Sequence, residues 1–259
     1  MLTKDRLLSG LNTKVFGKKI YVYSSIDSTN NCAKMLAGFG TAEGTVIIAD
    51  HQTSGKGRHG RVWHAEAGQN LLFTIVLRPN LQLKQVGLLT YYISVAVSAA
   101  VERTCGINCE CKWPNDLLIN GKKFCGILIE SSFQNLSLDF AAVGIGLNVN
   151  QKIFNPEIRE IATSLSLECN RDFEREELFQ KIMEYLEYFY EDVRNGNFVK
   201  ILDEWKRRTS IFGKEIIITQ NGSNLKATAI DLTPDGGLII YDGNSQSIIY
   251  SGDIIINHN

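Results

Sequence analysis

The feature that most constrains the fold is a change of pattern at Gly213. Beyond it, residues 214–256 contain only short runs of β-branched and apolar residues, separated by glycine, asparagine and aspartate. Such runs predict about five strands and are typical of a small β-barrel. The 259-residue chain is therefore expected to divide into a larger domain, residues 1–212, and a C-terminal β-barrel domain, residues 213–259.

The larger domain mixes strand and helix patterns. Buried strands are predicted at residues 44–50, 70–77 and 139–148, and shorter strands between residues 110 and 130. Apolar residues at helical spacing predict amphipathic helices at 84–103 and 176–193, with a shorter helix after them. Asn120-Gly121 predicts a two-residue hairpin turn.

Composition excludes several classes of function. The net charge of -1 gives no general attraction to nucleic acid or to acidic membranes. No signal-peptide core is visible, and the longest apolar runs, such as residues 71–77, are too short to span a membrane. The six cysteines are expected to stay reduced in the cytosol. Cys109 and Cys111 with Cys125 could suggest a metal site, but the spacing favours buried thiols.

A loop rich in glycine and basic residues, 52–63 (QTSGKGRHGRVW), follows the first buried strand. Its residues 55–61 contain three glycines and three Lys or Arg side chains. Glycine lets backbone N–H groups approach a ligand closely, and Lys and Arg neutralise phosphate. Trp63 adds a flat face for a ring. The loop matches neither a P-loop nor a G-x-G-x-x-G motif, so alone it indicates either an anion and ring binder or a mobile, solvated loop.

Four further segments carry polar groups. Residues 112–116 (KWPND) could offer a carboxylate to Mg²⁺ or form a simple turn. Residues 121–130 (GKKFCGILIE) place lysines at a strand entrance, either for a ligand or to protect a sheet edge, and a glycine where a ligand could approach closely. Residues 144–150 (GIGLNVN) fit flat backbone beside a planar ligand or a β-bulge. Residues 27–30 (DSTN) fit a helix cap or a site for a polar small molecule.

Together and in this order, the segments resemble the biotin–protein ligase family. The motifs STN, GKGRHGRVW, KWPND, KFCGILIE and GIGLN are followed by the terminal β pattern, so that the resemblance spans about residues 24–256. It implies an α/β (α+β) fold, a mixed β-sheet with flanking helices of the class II synthetase and lipoate-ligase type, plus a small SH3-like β-barrel. The implied activity uses ATP and Mg²⁺ to activate biotin to biotinyl-5′-AMP. Biotin is then transferred to a specific lysine of a biotin carboxyl carrier protein or domain.

The resemblance also implies site residues. Lys123 and Arg58 are the expected catalytic residues, and Asp116 is the expected Mg²⁺ contact. Lys56 replaces the first arginine of the family loop, which keeps the charge but loses the planar fork. The expected biotin-binding residues are Ser28, Thr29, Asn30, Gln52, Lys56, Gly57, Arg58, Lys123, Gly126, Gly144 and Gly146. The expected nucleotide-binding residues are Arg58, Arg61, Trp63, Asn115, Asp116, Lys123 and Asn148.

Three other functions compete with this interpretation. A lipoate–protein ligase shares the fold, but its consecutive glycines and following His-Asp are missing from this chain. A DNA-binding repressor would need a helix-turn-helix domain, for which the 27 residues before Ser28 are too few. A binding module without turnover would not need so many cations and carboxylates. We therefore expect a monofunctional cytoplasmic ligase, monomeric or homodimeric, with no nucleic-acid or membrane partner.

Overall fold

A seven-stranded sheet forms the centre of the protein in the computed structural model, which describes residues 1–220 and 222–256. Strands β1 and β2 pair in parallel and the other described neighbours are antiparallel, so the mixed sheet is confirmed. The strands are β1 (Ile20–Tyr23), β2 (Val46–Ala49), β3 (Leu71–Leu77), β4 (Glu110–Lys112), β5 (Asp116–Ile119), β6 (Lys122–Gln134) and β7 (Ser137–Leu147). They lie side by side in the order β1-β2-β3-β7-β6-β5-β4.

Helices flank both faces of this sheet. One face packs on α3 and α5, where the hydroxyl of Tyr92 donates to the carbonyl of Leu186 at 2.7 Å. The other face packs on α2 through a smaller apolar cluster that includes Ala33, Ile47 and Val76. The helices are α1 (Lys4–Ser9), α2 (Thr29–Gly38), α3 (Leu88–Cys105), α4 (Leu165–Cys169), α5 (Arg175–Arg194) and α6 (Phe198–Lys206), with 3₁₀ turns at Arg58–Gly60 and Leu83–Gln85.

Helix α3 is the core helix of the protein. Residues Leu83–Cys105 are long and apolar enough to cross a membrane by length and composition, but 67% of the most apolar stretch is buried inside the protein. The predicted helix at 84–103 starts later than expected, at Leu88. The reason is the preceding 3₁₀ turn, which has its own capping box between Gln82 and Gln85.

The C-terminal residues form a five-stranded antiparallel sheet in the order β11-β10-β9-β8-β12. The predicted number of strands is confirmed, while the SH3-like form and the boundary at residue 212 remain predictions. Residues 257–259 of the predicted domain lie outside the described residues. Tyr91 anchors this sheet to α3, since its hydroxyl donates to the carbonyl of Gly236 at 2.6 Å. The strands are β8 (Glu215–Gln220), β9 (Ser223–Leu232), β10 (Leu238–Tyr241), β11 (Gln246–Ile249) and β12 (Asp253–Ile256).

Two local predictions are confirmed. Asn120 and Gly121 have φ of 51° and 77°, as a two-residue hairpin turn between β5 and β6 requires. Cys109, Cys111 and Cys125 are buried free thiols, and burial raises the pKa of Cys111 to about 12. Within residues 1–220 and 222–256, no group of three His, Cys, Asp or Glu side chains could hold a metal ion, so the cysteine metal site is not formed.

Candidate active site

An open cavity of about 500 Å³ lies on the face of the sheet that carries α2. Successive residues of a strand face opposite sides of the sheet, and Gly126, Gly144 and Gly146 occupy positions on the side of the cavity. The glycine-rich loop forms one wall, and the turn between β4 and β5 forms another. Asp253 and its neighbours in β12 close the far side, so the C-terminal sheet contributes to the cavity.

The cavity gathers nearly all of the predicted site residues. Asn148 does not line it: its side chain is buried, and Nδ2 donates to the carbonyl of Thr163 at 3.0 Å. The Oδ1 atom of Asn148 is buried without a hydrogen-bond partner. The predicted residues that line the cavity are Ser28, Thr29, Asn30, Gln52, Lys56, Gly57, Arg58, Arg61, Trp63, Asn115, Asp116, Lys123, Gly126, Gly144 and Gly146.

One end of the cavity holds a polar network at the start of α2. Ser28 is the N-cap residue by backbone geometry, but its side chain makes no capping hydrogen bond, so the simple cap interpretation is insufficient. The backbone N–H and the hydroxyl of Thr29 lie 2.7 and 3.0 Å from Oε1 of Gln52. Because Oε1 faces Thr29, the Nε2 donor of Gln52 remains for a ligand in the cavity.

The other end holds a lysine that a bulge brings to the cavity. The register of β5 and β6 shifts between Leu117 and Leu118, which leaves Phe124 as the extra residue. A bulge reverses the side-chain alternation, so Lys123 shares the cavity face with Gly126. Its Nζ lies 2.6 Å from Oδ1 of Asp116, an ion pair one third exposed at the lysine. Since β6 lies between β5 and β7, the alternative that the lysine protects a sheet edge is wrong.

The glycines of β6 and β7 make room for side chains of the protein itself. A Cβ atom would lie 2.7 Å from the ring of Trp63 at Gly126 and 2.5 Å from it at Gly146. At Gly144 a Cβ would lie 2.2 Å from Oδ1 of Asn30, so the expected direct ligand surface at Gly144 is taken by Asn30. The pairing of β7 is regular at these positions, so the β-bulge alternative is wrong.

The three cations of the loop all have partners within the protein. Lys56 Nζ donates to Oδ1 of Asn31 at 2.6 Å, and Arg61 Nη2 lies 2.8 Å from Oδ1 of Asp253. Arg58 Nη1 donates to Oδ1 of Asn115 at 3.0 Å. The alternative of a solvated loop does not hold for Arg58, while Lys56 and Arg61 remain exposed, and the mobility of the loop stays a prediction.

Arg58 is the loop cation most removed from water. Its side chain is 18% exposed, and it lies 4.0 Å from Asp253. Burial lowers the pKa of its guanidinium, although Asp253 and Asp116 act in the opposite direction. Asn115 is held in turn by its own Nδ2, which donates to the carbonyl of Ile127 at 2.8 Å. A half-buried guanidinium held in one orientation is well placed to receive a phosphate.

Sequence reasoning missed three residues of the cavity region. Asp253 lies in a short terminal strand with no local signal of function. Thr74 is the lone hydroxyl in the wholly buried strand LLFTIVL, a pattern that signals a required hydrogen bond. Glu130 ends the segment 121–130, but no sequence pattern assigns it a function. In the structure its carboxylate accepts hydrogen bonds from Nδ2 of Asn30 at 2.9 Å and from Nζ of Lys34 at 2.5 Å.

Comparisons with known proteins agree with this geometry. Residues 22–150 match the biotin/lipoate A/B protein ligase family, and residues 211–256 match the biotin protein ligase C-terminal domain. The bifunctional ligase/repressor BirA of Bacillus subtilis is 34% identical over 98% of this chain and 78% of its own length. A biotin–[acetyl-CoA-carboxylase] ligase of Mycobacterium tuberculosis is 28% identical over 92% of this chain and 89% of its own length.

The fold points to the same class. The biotin protein ligase of Aquifex aeolicus, solved in complex with biotin and ATP, superposes with a TM-score of 0.79 at 27% identity, covering 93% of this chain and 100% of the other. Fold and site together define an enzyme of the biotin/lipoate ligase class. The chain belongs to the biotin protein ligase family.

Proposed function

We propose that this protein uses ATP to convert biotin to biotinyl-5′-AMP and then transfers the biotinyl group to a lysine of a biotin carboxyl carrier domain. The observation that carries the proposal is the polarity of this cavity. A neutral network of hydrogen-bonding side chains stands at one end, and Lys123 and Arg58 stand at the other. Biotin has the matching form, with a ureido ring at one end and a carboxylate at the other.

The neutral end is suited to the ureido ring. Nε2 of Gln52 donates a hydrogen bond to the ring carbonyl. The hydroxyl oxygens of Thr29 and Ser28 accept hydrogen bonds from the ring N–H groups. Asn30 is buried at this end, and both atoms of its amide are already bonded to Thr74, Leu128 and Glu130. Gln52, Thr29 and Ser28 carry no charge, which suits the neutral ureido ring as it leaves water.

The cationic end performs the first step. An oxygen of the biotin carboxylate attacks the α-phosphorus of ATP, and the bond from that phosphorus to the bridging oxygen breaks, releasing pyrophosphate. Lys123 and Arg58 neutralise the two anions as they meet, which is a large source of rate enhancement. Trp63, which lines the cavity, binds the adenine. Asn148 lies outside the cavity lining, but its buried Oδ1 has no hydrogen-bond partner, so an adenine that reaches it supplies its exocyclic amine as the missing donor.

The second step is aminolysis. The deprotonated amine of the acceptor lysine attacks the carbonyl carbon of the mixed anhydride. The bond to the phosphate oxygen breaks, AMP leaves with the electron pair, and the amine loses its second proton. The glycine-rich loop covers the anhydride and keeps water from it in the meantime.

The residues near Asp116 fit a magnesium ion that arrives with ATP. Mg²⁺ is commonly held by one or two carboxylates together with phosphates and water, and Asp116 offers one carboxylate beside Lys123. When bound, the ion neutralises charge on the phosphates. Asp116 holds Lys123 in place before the nucleotide binds.

The acceptor and the compartment follow from the relatives and from the cysteines. The relative from Mycobacterium tuberculosis is named for acetyl-CoA carboxylase, so a carboxylase carrier domain is the proposed acceptor. Six free cysteines suit the reducing cytoplasm, where we place the reaction.

Exchange of labelled pyrophosphate into ATP tests the proposal. Biotin should support exchange and lipoate should not, because only a ureido ring satisfies both Gln52 and Thr29. Exchange with lipoate but not with biotin, by folded protein, would overturn the proposed substrate.

A further inference from the structure

The cavity carries more positive than negative charge. Among the described residues, its lining includes five Lys or Arg side chains and two carboxylates, those of Asp116 and Asp253. Four of the five cations have the partners described above. The fifth is Lys112, which is half-buried, and within residues 1–220 and 222–256 its ammonium group has no hydrogen-bond or ion-pair partner. A cation that is partly removed from water without a partner is costly, so this position favours an anionic ligand.

The alternation of side chains along β4 places Lys112 on the cavity side of the sheet. The preceding residue, Cys111, is fully buried in the core on the opposite side. Lys112 pairs with Asp116 across the ladder of β4 and β5, so the two side chains lie on the same face. Oδ1 of Asp116 is already paired with Nζ of Lys123 at 2.6 Å. Lys112 therefore lies beside that ion pair, one strand further out.

The position of β4 at the edge of the sheet offers another explanation for a lysine. Edge strands often carry lysine to prevent pairing with another chain. Here the backbone N–H of Cys111 donates to the carbonyl of Arg208 at 2.7 Å. The C-terminal sheet also contributes Thr219 and Ile254 to the cavity that Lys112 lines. The chain itself covers this part of the edge, so edge protection does not explain Lys112.

The groups of the cavity follow one another across the sheet. The neutral network lies over β3, where the hydroxyl of Thr29 is 2.8 Å from that of Thr74. The ion pair of Lys123 and Asp116 lies over β6 and β5, and Lys112 lies over β4. Neighbouring strands are about 4.8 Å apart. Lys112 is therefore on the far side of the ion pair from the neutral end of the cavity.

The proposed reaction releases pyrophosphate on that far side. The biotin carboxylate reaches the α-phosphorus from the neutral end, beside Lys123 and Arg58. In an in-line displacement the attacking and leaving oxygens lie on opposite sides of the phosphorus. The β- and γ-phosphates therefore point away from the neutral end and toward β4. Trp63 packs on Gly126 and Gly146 of β6 and β7, so an adenine bound to it leaves the place over β4 open.

We propose that Lys112 is a catalytic residue that binds the β- and γ-phosphates of ATP and neutralises pyrophosphate as it leaves. The inference rests on the proposed function and deepens it by giving the leaving group a cation of its own. When the bond to the α-phosphorus breaks, the electron pair stays with the bridging oxygen, and negative charge grows on the β-phosphate. An ammonium group at that point stabilises the departing anion. Lys112 takes no part in the second step, in which AMP leaves.

Lys112→Met tests the proposal because it removes the charge and keeps a long apolar side chain. In pyrophosphate exchange, the KM for pyrophosphate should rise about tenfold or more, the value of a charge-assisted contact. Without biotin, the ratio of the Kd for ATP to the Kd for AMP should rise by a similar factor, since AMP lacks the β- and γ-phosphates. The Kd for biotin should stay at the wild-type value.

The second step separates a role at the leaving group from general damage. Biotinyl-5′-AMP is supplied directly, and its transfer to a biotin carboxyl carrier domain is followed. Lys112→Met should transfer at the wild-type rate, because no pyrophosphate takes part. Slow transfer from the supplied adenylate would overturn the inference, as would equal weakening of ATP and AMP or an unchanged KM for pyrophosphate.

Two further variants complete the test. Lys112→Arg keeps the charge and should recover most of the affinity for pyrophosphate, which a defect of packing would not do. Lys122→Met, at an exposed lysine that is absent from the cavity lining, is the matched control and should leave the KM for pyrophosphate unchanged. Wild-type protein that forms no adenylate would overturn the proposed function instead, and the affinities for ATP and AMP would still test Lys112.

Discussion

At the scale of single residues, Lys123 gives the sharpest prediction. Lys123→Ala removes a cation from the place where two anions meet, so adenylation should slow by about 100-fold or more. The side chain is one third exposed, so the thermal midpoint should change little. Pyrophosphate exchange and thermal unfolding measure the two effects.

Lys122→Ala is the matched control for Lys123. Lys122 is the neighbouring lysine, is exposed, and is absent from the cavity lining. The Lys122→Ala variant should keep full activity in pyrophosphate exchange. Near-normal exchange in Lys123→Ala would contradict the catalytic assignment.

Gly146 gives a steric prediction. A methyl group there would lie 2.5 Å from the ring of Trp63 and displace it. If Trp63 binds the adenine, Gly146→Ala should raise the KM for ATP by roughly tenfold, because stacking on an aromatic ring contributes about 1–3 kcal/mol. Gly38→Ala, where no atom lies within 4 Å of the new methyl, is the control. An unchanged KM for ATP in Gly146→Ala would contradict the contact between Trp63 and the nucleotide.

Sequence motifs predicted which residues meet but not how they are arranged. The cavity gathers Lys123 and Trp63 as expected. The bulge that turns Lys123 to the cavity depends on the pairing of β5 with β6, which no local pattern encodes. The hydrogen bonds of Thr74 and Glu130 depend on strand register and on the position of α2, and these are properties of the folded sheet.

At the scale of elements, the glycine-rich loop is tethered by the C-terminal sheet. Arg61 pairs with Asp253, and Arg58 lies near the same carboxylate. Without ligand, Asp253→Asn should expose the loop, so that trypsin cleaves at Arg58 and Arg61 a few times faster. The effect is small because half-exposed ion pairs contribute only about 0–1 kcal/mol.

Ligands and a second aspartate provide the controls. Biotin and ATP should slow cleavage in both proteins, since phosphate takes the place of Asp253. Asp231→Asn removes an ion pair with Lys206, away from the loop, and should not change cleavage. Cleavage of Asp253→Asn at the wild-type rate would contradict the tether.

Strong periodic patterns predicted the elements well, and their ends less well. The predicted strand at 70–77 and helix at 176–193 nearly match β3 and α5. The last of the short strands predicted between residues 110 and 130 extends over Lys122–Gln134, because β6 and β7 continue as a hairpin beyond the rest of the sheet. That extension is stabilised by pairing between distant segments, which a local pattern does not report.

At the scale of the whole molecule, buried thiols predict a loss of stability in alkali. Burial raises the pKa of Cys105 and of Cys111 to about 12 from an ordinary value of 9.0, and the pKa of Cys109 and Cys125 further. A group whose pKa is raised by folding stabilises the fold fully below its unfolded pKa. That contribution is lost as the pH rises toward the folded value.

The thermal midpoint, measured by calorimetry with a reducing agent, should therefore be constant up to about pH 8.5 and fall above about pH 9. Cys111→Ala should make the alkaline fall shallower, although it lowers the midpoint at neutral pH by leaving a small cavity. A midpoint at about pH 10 equal to that at about pH 8 would contradict this account.

Detection of the adenylate tests the central claim most directly. Purified protein is mixed with biotin and Mg-ATP, separated from free nucleotide, and its bound small molecules are identified by mass spectrometry. We predict biotinyl-5′-AMP on the protein, and its disappearance with release of AMP when a biotin carboxyl carrier domain is added. Folded protein that carries no adenylate, and forms none with any excess of biotin and ATP, would contradict the account.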